Sequence, residues 1–75
     1  MSLQEVANKV FMGKDIKTQF IGIHEGSGKA IQPEYADEIL ETHGNEEVKA
    51  YRYLENINLL VVHFKEDKQL WQKNN

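Results

Sequence analysis

The segment from Leu59 to Lys65 constrains the fold of this chain most strongly. It reads Leu-Leu-Val-Val-His-Phe-Lys and is apolar at both odd and even positions. Successive side chains of a β-strand point to opposite faces of the sheet, so a strand that is apolar at both sets of positions is covered on both sides. The segment therefore predicts a strand in the centre of a sheet.

The segment before it, 48–54, predicts a neighbouring strand because it is rich in aromatic and β-favouring residues. Strand alternation predicts one face formed by Val48, Ala50, Arg52 and Leu54, and the other by Lys49, Tyr51 and Tyr53. Residues 55–58 join the two strands and contain two asparagines, which tolerate turn geometry. Together the two strands predict a hairpin.

Further strands are predicted towards both ends of the chain. Residues 16–24 alternate as a strand does, and the Gly-Ser-Gly sequence at 26–28 predicts a turn. Residues 29–32 are expected to pair back as a short strand. After the central strand, residues 69–72 predict a short last strand, with a terminal helix as the alternative.

A helix is predicted over residues 33–43. Pro33 suits the first helical position, and Gly44 offers a left-handed residue at the end. Negative charge in the first turns complements the helix dipole, and it comes from Glu34, Asp37 and Glu38. An apolar stripe at helical spacing is formed by Tyr35, Ala36, Ile39 and Leu40.

These elements predict one α+β domain over residues 1–75. We expect a mainly antiparallel sheet of three to five strands, with the 33–43 helix packed on one face through Tyr35, Ile39 and Leu40. A short N-terminal helix is predicted over 3–12, and residues 1–3 are treated as a leader without function. The core is expected to include Phe20, Leu60, Val62 and Phe64.

The size and composition of the chain narrow its function. A core of 75 residues seldom supplies more than about 3–5 kcal/mol without help, and there is no cysteine to form a disulfide. That leaves a well-packed monomer or a self-associating chain, and of the two a homodimer is predicted. No apolar run approaches the ~20 residues that cross a bilayer, and no basic region followed by an apolar stretch opens the chain. We therefore expect a cytoplasmic protein without membrane contact.

Motifs with a chemical mechanism are rejected one by one. The sequence at 26–30, Gly-Ser-Gly-Lys-Ala, resembles a phosphate loop, but Ile23 replaces the first glycine and Ala30 replaces the Ser or Thr that holds magnesium. The three histidines, at 24, 43 and 63, lie on different elements without metal-ligand spacing. General acid–base chemistry needs a desolvated carboxylate in a pocket, for which this chain has little room. We expect no catalytic residue, metal or cofactor.

Charge is distributed unevenly along the chain. Residues 25–47 contain seven acidic residues against one lysine, whereas the rest of the chain has more basic than acidic residues. Such asymmetry bears on association rather than on fold. We therefore predict a small non-catalytic protein-binding module, as a regulator or inhibitor, whose acidic helix meets a basic partner surface through Glu34, Asp37, Glu38 and Glu41. A solvated acidic face that only keeps the protein soluble is the simpler explanation.

Two alternative functions stay open. The first is a homo-oligomeric structural or accessory protein whose sheet edges pair. The second is a weak binder of single-stranded nucleic acid, because Tyr51 and Tyr53 could stack on bases. The net charge of −3 argues against nucleic acid, which normally meets a basic face.

Overall fold

The structure is a computed structural model, and it describes residues 1–24 and 32–65. The helices are α1 (Leu3–Val10) and α2 (Ala36–His43), and short 3₁₀ turns cover Ile16–Thr18 and Glu55–Ile57. The strands are β1 (Phe20–Ile23), β2 (Glu34–Tyr35), β3 (Val48–Leu54) and β4 (Leu59–Phe64). The predicted α+β class is confirmed. The predicted turn at 26–28, most of the strand at 29–32 and the last strand at 69–72 lie outside the described residues.

The four strands form one sheet in the order β2-β1-β4-β3. The central position predicted for β4 is confirmed, since β1 and β3 lie on either side of it. The β1–β2 and β3–β4 pairs are antiparallel, whereas β1 and β4 run parallel. A parallel pair needs a long crossover connection, and the chain from β1 to β4 supplies it through α2 and β3.

Both helices contribute to a core on one face of the sheet. Leu60 and Val62 have no exposed surface, and Phe64 is also buried, as predicted. They pack in one cluster with apolar residues of α1 and α2. The prediction fails for Phe20, which is only half-buried, because strand alternation turns it to the opposite face. Its ring lies instead beside the ring of Tyr35, at a centroid distance of 5.2 Å.

The N-terminal helix begins with a reciprocal cap. The Ser2 hydroxyl accepts a hydrogen bond from the Glu5 amide, and the Glu5 carboxylate accepts one from the Ser2 amide. This capping box satisfies two amides that a helix start would otherwise leave unpaired. Leu3 is fully buried, and the Met1 carbonyl accepts from the Val48 amide at 2.8 Å. Residues 1–3, which were predicted to be a leader, are therefore part of the fold.

The second helix begins at Ala36, so the prediction that Pro33 is its first residue is wrong. Glu34 and Tyr35 instead form β2 and pair with β1. The Ala36 amide donates to the Gln19 carbonyl at 3.0 Å, which holds the helix start against the sheet. Tyr35, one of the residues through which the helix was predicted to pack on the sheet, is 51% exposed. Pairing with a distant strand has overridden the local preference of proline for a helix start.

The end of α2 differs from the prediction in its backbone geometry. Gly44 has a right-handed conformation, with φ −58°, and not the left-handed one expected at a helix end. Glycine is required there by space: a Cβ atom would lie 2.5 Å from the Leu40 carbonyl oxygen. A left-handed conformation occurs at Asn58, with φ 56°, at the predicted turn before β4.

Two details of the predicted strands change in the structure. Residues 16–18 form a 3₁₀ turn capped by the Asp15 side chain, so the strand predicted over 16–24 begins only at Phe20. The bounds predicted for β3 are confirmed, but a register shift lies between Val48 and Ala50. Because of this irregularity, Val48 faces the helices together with Tyr53, and not with Ala50 as alternation predicted.

Candidate functional site

A shallow groove runs across the helix side of the molecule, and it is called the helix groove here. It consists of two depressions, of about 430 Å³ and about 320 Å³, between α1, the turn at 16–18 and α2. Both depressions are lined by Gln4, Ile16 and Leu40. The larger is also lined by Asp37, Glu38 and Glu41; the smaller also by Ala7, Asn8, Phe11, Met12 and Lys14.

The floor of the helix groove is apolar and anchored to the core. Ile16 and Leu40 are half-buried and pack against the core cluster. The turn that presents Ile16 is fixed by Asp15, whose carboxylate accepts a hydrogen bond from the Lys17 amide at 3.1 Å. The floor therefore has a defined position, because both of its side chains rest on buried residues.

One wall of the helix groove is acidic. Asp37, Glu38 and Glu41 are exposed, and Glu41 lies four and three positions after the other two on α2, so all three border the same depression. The Asp37 carboxylate accepts a hydrogen bond from the Glu38 amide at 2.9 Å, at the start of the helix. Glu34 was predicted to belong to this helical face, and that placement is wrong. It lies on β2 and does not line the groove.

The other end of the helix groove, near Met12, is mainly apolar. Met12 is 77% exposed and lies at the rim beside buried Phe11. Lys14 lines the same end, and its ammonium group lies 5.8 Å from the centre of the Tyr53 ring. The groove is thus acidic at the α2 end and apolar, with one positive charge, at the Met12 end.

The two strand tyrosines have separate environments. The Tyr53 ring packs edge-on against Phe11, with the ring centres 5.9 Å apart, and its hydroxyl donates to Gln19 Oε1 at 2.7 Å. Tyr51 is exposed at the β3 edge of the sheet. Because Tyr53 is held by α1 and Gln19, the two rings do not form a free pair for stacking on bases.

The three histidines lie in two places. The rings of His24 and His63 are 4.4 Å apart on the face of the sheet away from the helices. His43 stacks on Phe64, and its Nδ1 lies 2.5 Å from a carboxylate oxygen of Glu46. Within residues 1–24 and 32–65, no cluster of three or more His, Asp or Glu side chains is arranged to hold a metal ion.

The edge of the sheet at β3 is partly paired within the chain. Ser2 bridges Glu47, and the Val48 amide donates to the Met1 carbonyl. The N-terminal ammonium group lies 2.6 Å from the Glu47 carboxylate and lowers the pKa of Glu47, through a hydrogen bond and charge attraction. These contacts shorten the edge that a second copy could use.

The helix groove could not be read from the sequence. Its floor joins Ile16 and Leu40, which are far apart in the chain. Met12, the last residue of the helix predicted over 3–12, carries no sequence signal of a binding site. Only the acidic wall was visible, as a run of carboxylates on one helix.

Comparisons with protein-family models, with curated proteins and with solved structures returned no match. In the part of the chain that the structure describes, no helix has the length and apolar character needed to cross a membrane. Inferences about function therefore depend on the groove and its surroundings.

Proposed function

We propose that this chain is a small, non-catalytic, cytoplasmic protein-binding module that regulates or inhibits a larger partner. The acidic wall of the helix groove, Asp37, Glu38 and Glu41, meets a basic surface of that partner. The observation that carries the proposal is the position of the three carboxylates: they line a depression with an apolar floor. Glu34 is left out of the site because it lies on β2.

The concave setting of the carboxylates favours recognition over simple solvation. Clefts lined by one sign of charge concentrate the electric field and attract the opposite charge. Exposed carboxylates on a convex helix face would have less effect, because water and salt screen them over about 8–10 Å. A Lys or Arg side chain that enters the groove can also cover Ile16 and Leu40 with its aliphatic stem.

The three carboxylates differ in what they contribute to the fold. Asp37 and Glu38 lie in the first turn of α2, where each negative charge stabilises the helix by about 0.3–1 kcal/mol. Glu41 lies beyond that turn, nearer the C-terminal end. Reversing Glu41 alone therefore changes the charge of the groove without weakening the start of the helix.

The test compares two matched charge reversals, Glu41→Lys and Glu55→Lys. Both residues are exposed, but only Glu41 lines the helix groove. The immobilised chain is used to capture proteins from the source cell, the retained protein is identified by mass spectrometry, and its affinity is then measured with purified components. We expect Glu41→Lys to weaken binding roughly threefold to tenfold and Glu55→Lys to leave it within twofold.

Salt provides a second measurement on the same pair. Raising the salt concentration from about 50 to about 300 mM should lower the affinity of the wild type and of Glu55→Lys for the partner more than that of Glu41→Lys. Salt screens the attraction that Glu41 contributes, and the Glu41→Lys variant has already lost it. Equal affinities of the two variants, at both salt concentrations, would show that the acidic wall is only a solvated face.

A homodimer through the sheet edges stays a prediction. The contacts of residues 1–3 with Glu46, Glu47 and Val48 leave Ala50 to Leu54 as the part of β3 that a second copy could pair with. Light scattering of the chain at micromolar concentration checks it, since a mass near 8.7 kDa means a monomer.

A further inference from the structure

We infer that the helix groove binds a short segment of the partner in one fixed direction, with a large apolar side chain at the Met12 end and Lys or Arg residues at the α2 end. This inference rests on the proposed function and adds the chemistry and direction of the bound segment. It is carried by the continuity of the two depressions, which share Gln4, Ile16 and Leu40.

The apolar end of the groove calls for an apolar ligand group. Met12 is a large hydrophobic residue with 77% of its surface exposed, beside the apolar side chains of Ala7 and Phe11. Methionine is flexible and polarizable, and it is common on surfaces that adapt to a partner's side chains. A depression of about 320 Å³ is at the small end of the range for ligand sites, which suits one large side chain.

The two ends of the groove differ in charge, and this sets the direction of binding. Three carboxylates lie at the α2 end, whereas Lys14 lies at the Met12 end. A segment with its basic residues over Lys14 would meet a like charge and leave the carboxylates without a partner. The reverse direction pairs the basic residues with Asp37, Glu38 and Glu41, and it places the apolar side chain over Met12.

The experiment uses a phage-displayed library of random 12-residue peptides, selected on the intact 75-residue chain. We expect the enriched peptides to share one large apolar residue followed or preceded, at a constant spacing, by two or more Lys or Arg residues. The best peptide is then synthesised, and its affinity is measured against the wild type and four variants.

The variants form two matched pairs. Met12→Ser removes the apolar rim and Ile57→Ser removes an exposed apolar residue outside the groove, which is 53% exposed. Glu41→Lys and Glu55→Lys repeat the charge comparison. We expect about a five- to tenfold loss of affinity for Met12→Ser, from the lost apolar contact, and no more than a twofold change for either control. All four positions are exposed, so the variants should fold, and circular dichroism checks that they do.

The outcomes separate the inference from the proposed function. If Glu41→Lys weakens peptide binding and Met12→Ser does not, recognition by the acidic wall is supported and the apolar contact at Met12 is overturned. If Glu41→Lys has no effect, the proposed function fails, and the direction of binding fails with it. Direction is tested by a paramagnetic label on the basic end of the peptide: broadening of the Glu41 amide signal supports the inference, and broadening at Lys14 instead overturns it. A library without enriched peptides also overturns it.

Discussion

Replacing Leu60 by alanine is the most direct test of the central strand. Leu60 has no exposed surface and lies on β4, between Ile21 of β1 and Tyr53 of β3. Its side chain belongs to the cluster that joins the sheet to both helices. Truncation there removes apolar contacts and leaves a cavity that a close-packed core fills only in part.

The expected cost is large in comparison with the stability of the domain. Leu→Ala at a fully buried site costs about 2.7–5 kcal/mol. A chain of 75 residues has a free energy of unfolding of about 4–11 kcal/mol, at ~0.05–0.15 kcal/mol per residue. A small single core that no disulfide reinforces lies near the lower end of that range. Leu60→Ala should therefore leave much of the protein unfolded at 25 °C.

Circular dichroism during heating and urea titration gives the measurement. In a domain of this size each kcal/mol moves Tm by about 4–8 °C, so Leu60→Ala should lower Tm by more than about 10 °C. Ile57→Ala is the control, because Ile57 is 53% exposed and its truncation should change stability by less than about 0.5 kcal/mol. If Leu60→Ala lowered Tm by less than about 5 °C, the central placement of β4 would be refuted.

Two further predictions concern a buried polar contact and a terminal ion pair. Tyr53→Phe removes the hydrogen-bond donor to Gln19, which is only 3% exposed, and should lower the free energy of unfolding in urea by about 1–3 kcal/mol. Adding Gln19→Leu should recover part of this loss, and strictly additive effects of the two substitutions would contradict the contact. The pKa of Glu47, measured by NMR titration, should lie below its ordinary value of 4.5. The ion pair of Glu47 with the N-terminal ammonium group stabilises the fold at neutral pH, and this stabilisation is lost as pH falls through the lowered pKa. Acetylating the terminal amine should return the pKa towards 4.5, and an unchanged pKa after acetylation would exclude the ammonium group as the cause.

Strand periodicity was the most informative part of the sequence. The apolar run at Leu59–Phe64 predicted the central strand because a strand that is buried on both faces is apolar at nearly every position. The bounds of β3 and the turn before β4 also followed from local residue preferences. The capping box of α1 also has a sequence signature, Ser2 and Glu5 at the required spacing, although residues 1–3 were predicted to be a leader.

Local signals misplaced the features that depend on distant contacts. Pro33 indicated a helix start, yet Glu34 and Tyr35 pair with β1, and α2 begins only at Ala36. The shift between Val48 and Ala50 reversed the predicted face of Val48, since one irregular residue changes which side each later side chain faces.

The α+β class, the central strand and the acidic helix could be predicted from the sequence, because each depends on residues that are neighbours along the chain. The position of three acidic residues on a groove depends on tertiary contacts, since the floor of that groove joins Ile16 and Leu40 from separate elements. Tertiary contacts also keep Glu34 out of the groove, because pairing with β1 fixes that residue in the sheet. Contacts between distant segments depend on how the elements pack, and one-dimensional periodicity carries no information about that packing.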